Sequence, residues 1–259
     1  MKAIFKIRKT FGGHFNSCKV GLNLFQHMVK PIVLYGDGAW GAHVYDFTKL
    51  LDKEGDLYSK YFASNQIEII QSKFNKGLLG VHSKASNIAV CAELGTYPLA
   101  IDIALDLVKQ WLHMKDADQG SVIYDCYQFQ ISEINNGKCW LSTVRDILVN
   151  LDLSTVWFQQ HTDSPTWLLK QIKEKMQEIF QEQVSKKLNE TSPAGEGNKL
   201  RNYRLFKDKV SFEPYLHEIG KLEDRVLITK FRISAHELEI ERGWYKRPRK
   251  VPLEERVCK

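Results

Sequence analysis

A mainly helical protein is what this sequence predicts, and three observations carry the expectation. Apolar residues recur at three- and four-residue intervals over several long stretches, the mark of amphipathic helices. Strand-like runs are few and short. The composition, 43% hydrophobic and 26% charged over 259 residues, is that of an ordinary globular chain with enough apolar material for substantial cores.

Taken in order, residues 18–30 place Val20, Leu24, Phe25, Met28 and Val29 on one helical stripe. After Pro98, Leu99, Ile103, Leu107 and Trp111 line one face, and Ile101, Leu105, Val108 and Leu112 line another. A helix apolar on two sides is expected between neighbours. Trp140, Val144, Ile147, Leu148 and Leu151 repeat the pattern. At 164–188, Ser164 stands as an N-cap and Pro165 at the first helical position. Leu168, Ile172, Met176, Ile179, Phe180, Val184 and Leu188 follow as the buried stripe. Short strands are expected at Ile32–Tyr35, Ile67–Ile70 and in the alternating His-Glu-Leu-Glu-Ile-Glu of 236–241. The Pro- and Gly-containing stretch 189–198 reads as a linker.

Charge is unevenly spread. Residues 1–30 hold six Lys/Arg and no acids, residues 31–198 hold 15 and 21, and residues 199–259 hold 16 and 10. Basic ends around an acidic middle suggest a polyanion contacted by the ends. Uninterrupted apolar runs of about four residues are far below the roughly 18 that a membrane-spanning helix needs. Five scattered cysteines without a Cys-x-x-Cys pair fit a reducing, intracellular setting, nucleus or cytoplasm, better than a disulfide framework.

The segment Gly36-Asp37-Gly38-Ala39-Trp40-Gly41 is a literal G-x-G-x-x-G, the fingerprint of a dinucleotide-binding turn. The motif needs a following strand that ends in an acid about 20 positions on. Asp52, Glu54 and Asp56 lie in a charged helix end or turn instead. The glycines therefore read as a tight bend between packed elements, and no cofactor is expected. Asp102 and Asp106, with His113 two turns on, could in principle ligate a metal, yet Lys109 and Gln110 on the same strip mark a solvated edge. His14 and Cys18 lack a second ligand pair for zinc, and no metal is expected.

The C-terminal part mixes aromatic and basic residues. Residues 199–209 set Tyr203 and Phe206 among five Lys/Arg, and Lys230 and Arg232 flank Phe231. Trp244 and Tyr245 precede Lys246-Arg247-Pro248-Arg249-Lys250. Cations neutralise phosphates, and aromatic faces stack on unpaired bases. Over 200–235 the favoured reading is a packed core of Tyr203, Phe206 and Phe231 with Lys and Arg around it. Over 246–250, where nothing apolar can be buried, it is polyanion contact. The candidate nucleic-acid contacts are Lys246, Arg247, Arg249, Lys250 and Trp244, joined by Arg232 and Lys230.

The stretch LFQHMVKPIVLYGDGAWG resembles the segment just after the polymerase palm in reverse transcriptases of non-LTR retrotransposons, jockey-like and related mobile elements. Leu24, Phe25, Val29, Pro31, Ile32, Leu34, Tyr35, Gly36, Trp40 and Gly41 match that family's pattern, while Gly38 replaces its usual Glu. KGLLGVHSKASNIAVCAELGTYPLAI, KLRNYRLFK, TKFRISAHELEIERGWY and PLEERVC are similar to later blocks of the family. Family polymerases hold two metals on an Asp-Asp pair and an upstream Asp; this chain has no Asp-Asp.

The resemblance implies a truncated C-terminal piece of an RNA-directed DNA polymerase. Its expected parts are basic N-terminal helices with a thumb-like, post-palm segment (1–60), an acidic helical domain (61–188), the linker, and a basic helical segment (199–259). The expected role is non-catalytic contact with template or primer, RNA or single-stranded DNA. A helical protein-interaction scaffold is the alternative.

Overall fold

The structure, a computed structural model, describes residues 17–54, 56, 60–63, 65–136, 139–189, 200, 202–236, 238 and 255. It is mainly helical. The elements are α1 (Cys18–Leu24), α2 (Lys30–Val33), α3 (Asp37–Trp40), α4 (Phe47–Leu51), α5 (Gln66–Leu79), α6 (Asn87–Leu94) and α7 (Ala100–Lys115). They continue with α8 (Val122–Glu133), α9 (Trp140–Asn150), α10 (Ser154–Gln159), α11 (Pro165–Asn189), α12 (Tyr215–Glu218) and α13 (Leu222–Arg232). Among the described residues the only sheet-like pairing is an isolated antiparallel bridge between Leu94 and Phe212.

Two of the expected strands are helical instead. Ile32 and Val33 close α2, and the turn that follows carries Gly36 at φ 73°. Ile67–Ile70 belongs to α5, because the Asn65 side chain accepts hydrogen bonds from the Ile67 and Glu68 amides at 2.9 and 3.4 Å and so starts a helix there. Of 236–241, residues 237 and 239–241 lie outside the described residues.

Two compact units form, each joining stretches distant in sequence: residues 1–30, 69–96 and 183–259 in one, 31–68 and 97–182 in the other. This partition differs from the sequential segments read from charge. Of the expected linker, Asn189 is described, as the last residue of α11.

In the second unit α7 buries both of its apolar faces. Leu99, Ile103, Leu107 and Trp111 are buried, and so are Ile101, Val108 and Leu112. Each such side chain contributes roughly 1.5–3 kcal/mol on removal from water. The glycine motif supplies one of the covering elements. A Cβ at Gly41 would stand 2.4 Å from Cγ2 of Ile103, and one at Gly38 would stand 3.2 Å from the Asp106 carbonyl. The glycines let α3 lie directly on α7, and the Trp140 indole locks the contact by donating to the Gly38 carbonyl at 2.8 Å. Ser164 caps α11 through the Trp167 amide at 3.2 Å, as the sequence predicts. Phe180 then meets Tyr61 and Tyr97 edge-on, with centroids 5.4 and 5.9 Å apart.

In the first unit α1 turns an unexpected face inward. Cys18, Gly21 and Phe25 are buried, while Val20 and Met28 are exposed. The reason is local: Gly21 has no side chain to hold Leu78 away, and Phe25–Val29 is a wider π turn that shifts the register. Phe25 packs on Phe74 of α5 at 4.8 Å.

Candidate nucleic-acid interface

The C-terminal stretch is joined to α6 by backbone and charge. Ser86 caps α6 through the Ala89 amide, and Gly95 ends it at φ 64°. A Cβ on Gly95 would stand 2.5 Å from the Phe212 nitrogen, so the chain at 211–213 passes against the helix end only because residue 95 is glycine. Glu213 N donates to the Glu93 carbonyl at 3.0 Å, and the Tyr203 hydroxyl donates to the Ala89 carbonyl at 3.3 Å.

Around that junction lies a cluster of four charged groups. Glu93 is wholly buried. Arg232 donates through Nε to Glu93 Oε1 at 2.9 Å and through Nη2 to Glu213 Oε2 at 2.7 Å. Lys207, buried as well, pairs with Glu213 and donates to the Ser211 carbonyl at 2.6 Å. Burial pushes the Glu93 carboxyl up, against the opposing pull of Arg232. The Arg232 guanidinium also lies over two rings, 5.6 Å from the centroid of Phe206 and 5.2 Å from that of Tyr215.

These contacts revise the sequence reading. Arg232, expected to face phosphate, is held instead by two carboxylates. Lys230 is half-buried on α13. Lys246, Arg247, Arg249, Lys250 and Trp244 lie outside the described residues. The expected core of three aromatics is reduced to Tyr203, which is buried, while Phe206 and Phe231 are 48% and 60% exposed. For Phe231 the cause is the orientation of α13. It buries Arg225 and Thr229, so Leu227, Ile228 and Phe231 are left outward. Sequence periodicity misses this because the helix turns a polar stripe inward.

Close to Phe206 in sequence, Arg204 and Lys209 are exposed, and neither forms an ion pair among the described residues. The fold also sorts charge. The described residues of this unit hold 14 Lys/Arg and 7 Asp/Glu, those of the other unit 9 and 18. A cleft of about 810 Å³ in the acidic unit is lined by Asp46, Asp52, Glu54 and Asp56 with Lys49 and Lys60, an unfavourable surface for phosphate. Among the described residues no group of three or more His, Cys, Asp or Glu is placed to hold a metal, and Asp106 pairs with Lys109 at 2.6 Å. Among the described residues no helix is long and apolar enough to cross a membrane.

Compared with known proteins, the chain matches no family model, no curated protein and no solved structure.

Proposed function

We propose that this chain is a non-catalytic, nucleic-acid-contacting piece like the region beyond the palm of non-LTR retrotransposon reverse transcriptases. In this reading the basic unit holds RNA or single-stranded DNA weakly, in the nucleus or cytoplasm. Ordered blocks of sequence resemblance, from LFQHMVKPIVLYGDGAWG to PLEERVC, support the family reading. The observation that carries the contact is the exposure of Phe206 and Phe231 on a unit whose cations outnumber its acids. Stacking surfaces and positive charge together suit unpaired strands. The chain has no Asp-Asp pair to hold two metals, so the purified protein with Mg²⁺ or Mn²⁺ is expected to incorporate no nucleotide above a mock preparation.

Filter binding against salt tests the contact. Each neutralised phosphate on a single strand adds about −0.7 to the log–log slope, so four tail contacts give roughly −3. Replacing Lys246, Arg247, Arg249 and Lys250 by Ala is expected to flatten that slope. Retention that ignores this change removes the tail from the interface. The exposed Leu227 and Ile228 favour a second reading, a helical protein-interaction scaffold, which predicts no retention at low salt.

A further inference from the structure

We propose that Phe206 is a stacking platform for an unpaired nucleobase, held in place from beneath by Arg232 and flanked by Arg204 and Lys209 as phosphate contacts. The inference rests on the nucleic-acid reading above and adds to it the kind of strand preferred and the residue that prefers it.

Phe206 is the residue after a single 3₁₀ turn, Tyr203–Leu205, and Tyr203 is anchored in the core through Ala89. The backbone that carries the ring is therefore fixed. The ring lies over a guanidinium that has almost no freedom of its own, because two carboxylates and the Tyr215 ring hold it. An aromatic residue whose orientation is already set loses little entropy when a base is laid on it. The ring remains half exposed although Leu216, Ile233 and Ala235 nearby in sequence to its partners are all buried.

The charge around the ring decides what sort of occupant suits it. Arg232 and Lys207 are balanced locally by Glu93 and Glu213. Arg204 and Lys209, two residues before and three after Phe206, are exposed cations without such partners among the described residues. An exposed ring with an exposed cation two residues before it and another three after it complements a strand whose bases are unstacked and whose phosphates run alongside. Duplex offers only the phosphates, since its bases are already stacked and paired.

Fluorescence anisotropy with the full chain separates the two contributions, using an oligo-dA strand, an abasic strand of equal length and heparin. The wild type is expected to bind oligo-dA several-fold tighter than the abasic strand. Phe206→Ala is expected to weaken oligo-dA binding roughly 5- to 100-fold and to leave abasic-strand and heparin binding unchanged. Phe206→Trp, which keeps a stacking face, is expected to retain or improve it. Arg204→Ala with Lys209→Ala is expected to weaken all three probes and to reduce the salt slope. Equal binding of oligo-dA and abasic strand, unaltered in Phe206→Ala, overturns the platform while leaving the polyanion contact intact. No binding of any probe at low salt overturns both.

Discussion

Replacing Arg232 by alanine is expected to destabilise the basic unit by about 3–5 kcal/mol, the usual cost of removing one member of a buried ion pair. Glu93 is wholly buried, and its charge is compensated from α13 by a group 139 residues away in sequence. Without Arg232, Glu93 must either stay ionised without a partner or bind a proton that its surroundings already favour. Glu213 loses a 2.7 Å donor as well but keeps Lys207. Adding Glu93→Gln to Arg232→Ala removes the stranded charge and is expected to recover about half of the loss. Arg232→Lys is expected to rescue poorly, because an ammonium cannot present the guanidinium's flat fork to two carboxylates. Urea unfolding followed by far-UV circular dichroism measures all three variants. A change below about 1 kcal/mol in Arg232→Ala would mean that the cluster is solvated rather than buried.

That cluster also marks where the sequence is legible and where it is not. The helices α7, α9 and α11 can be read directly, because their apolar stripes run for three turns or more and Ser164-Pro165 announces a start. The mainly helical class follows from them. Ile32–Tyr35 and Ile67–Ile70 are misread as strands, since four apolar residues fit either period; the deciding contacts are the turn at Gly36 and the Asn65 cap. Cations near aromatics are visible in the C-terminal stretch, but which of them face solvent is not. Arg232 meets partners on α6 and at 213, and Phe231 stays outside because α13 turns Arg225 and Thr229 inward. No local pattern encodes such pairings. The buried carboxylates Glu68 and Glu93 are unreadable for the same reason.

Glu68 makes the acidic unit sensitive to pH in a direction opposite to that of an ordinary salt-bridged carboxylate. It is wholly buried on α5, and its Oε1 accepts from the Tyr45 hydroxyl at 2.9 Å and from the Ala100 amide at 3.0 Å. It thereby satisfies an amide at the start of α7 from a different helix. The other oxygen, Oε2, has no hydrogen-bond partner. Burial raises its pKa from 4.5 to about 7, more than the Ala100 and Tyr45 hydrogen bonds lower it. Asp37 is raised from 3.8 to about 7 by burial and then by the charge of Asp106. In both cases the folded state binds the proton more tightly than the unfolded chain. Their stabilisation is therefore complete below about pH 4, declines as pH rises toward 7, and is level above that. For Glu68 the difference is about 3 kcal/mol. Glu68→Gln mimics the protonated acid, since its carbonyl can still accept from Tyr45 and Ala100 and its amide takes the place of the protonated Oε2. The variant is expected to match the wild type near pH 4, to exceed it by up to about 3 kcal/mol at pH 8, and to have a shallower pH profile between. Five of the six tryptophans fall in residues 31–68 and 97–182, so tryptophan fluorescence in urea reads this unit. Wild-type and Glu68→Gln curves that stay parallel from pH 5 to 8 would show that Glu68 ionises in the folded protein as it does in water.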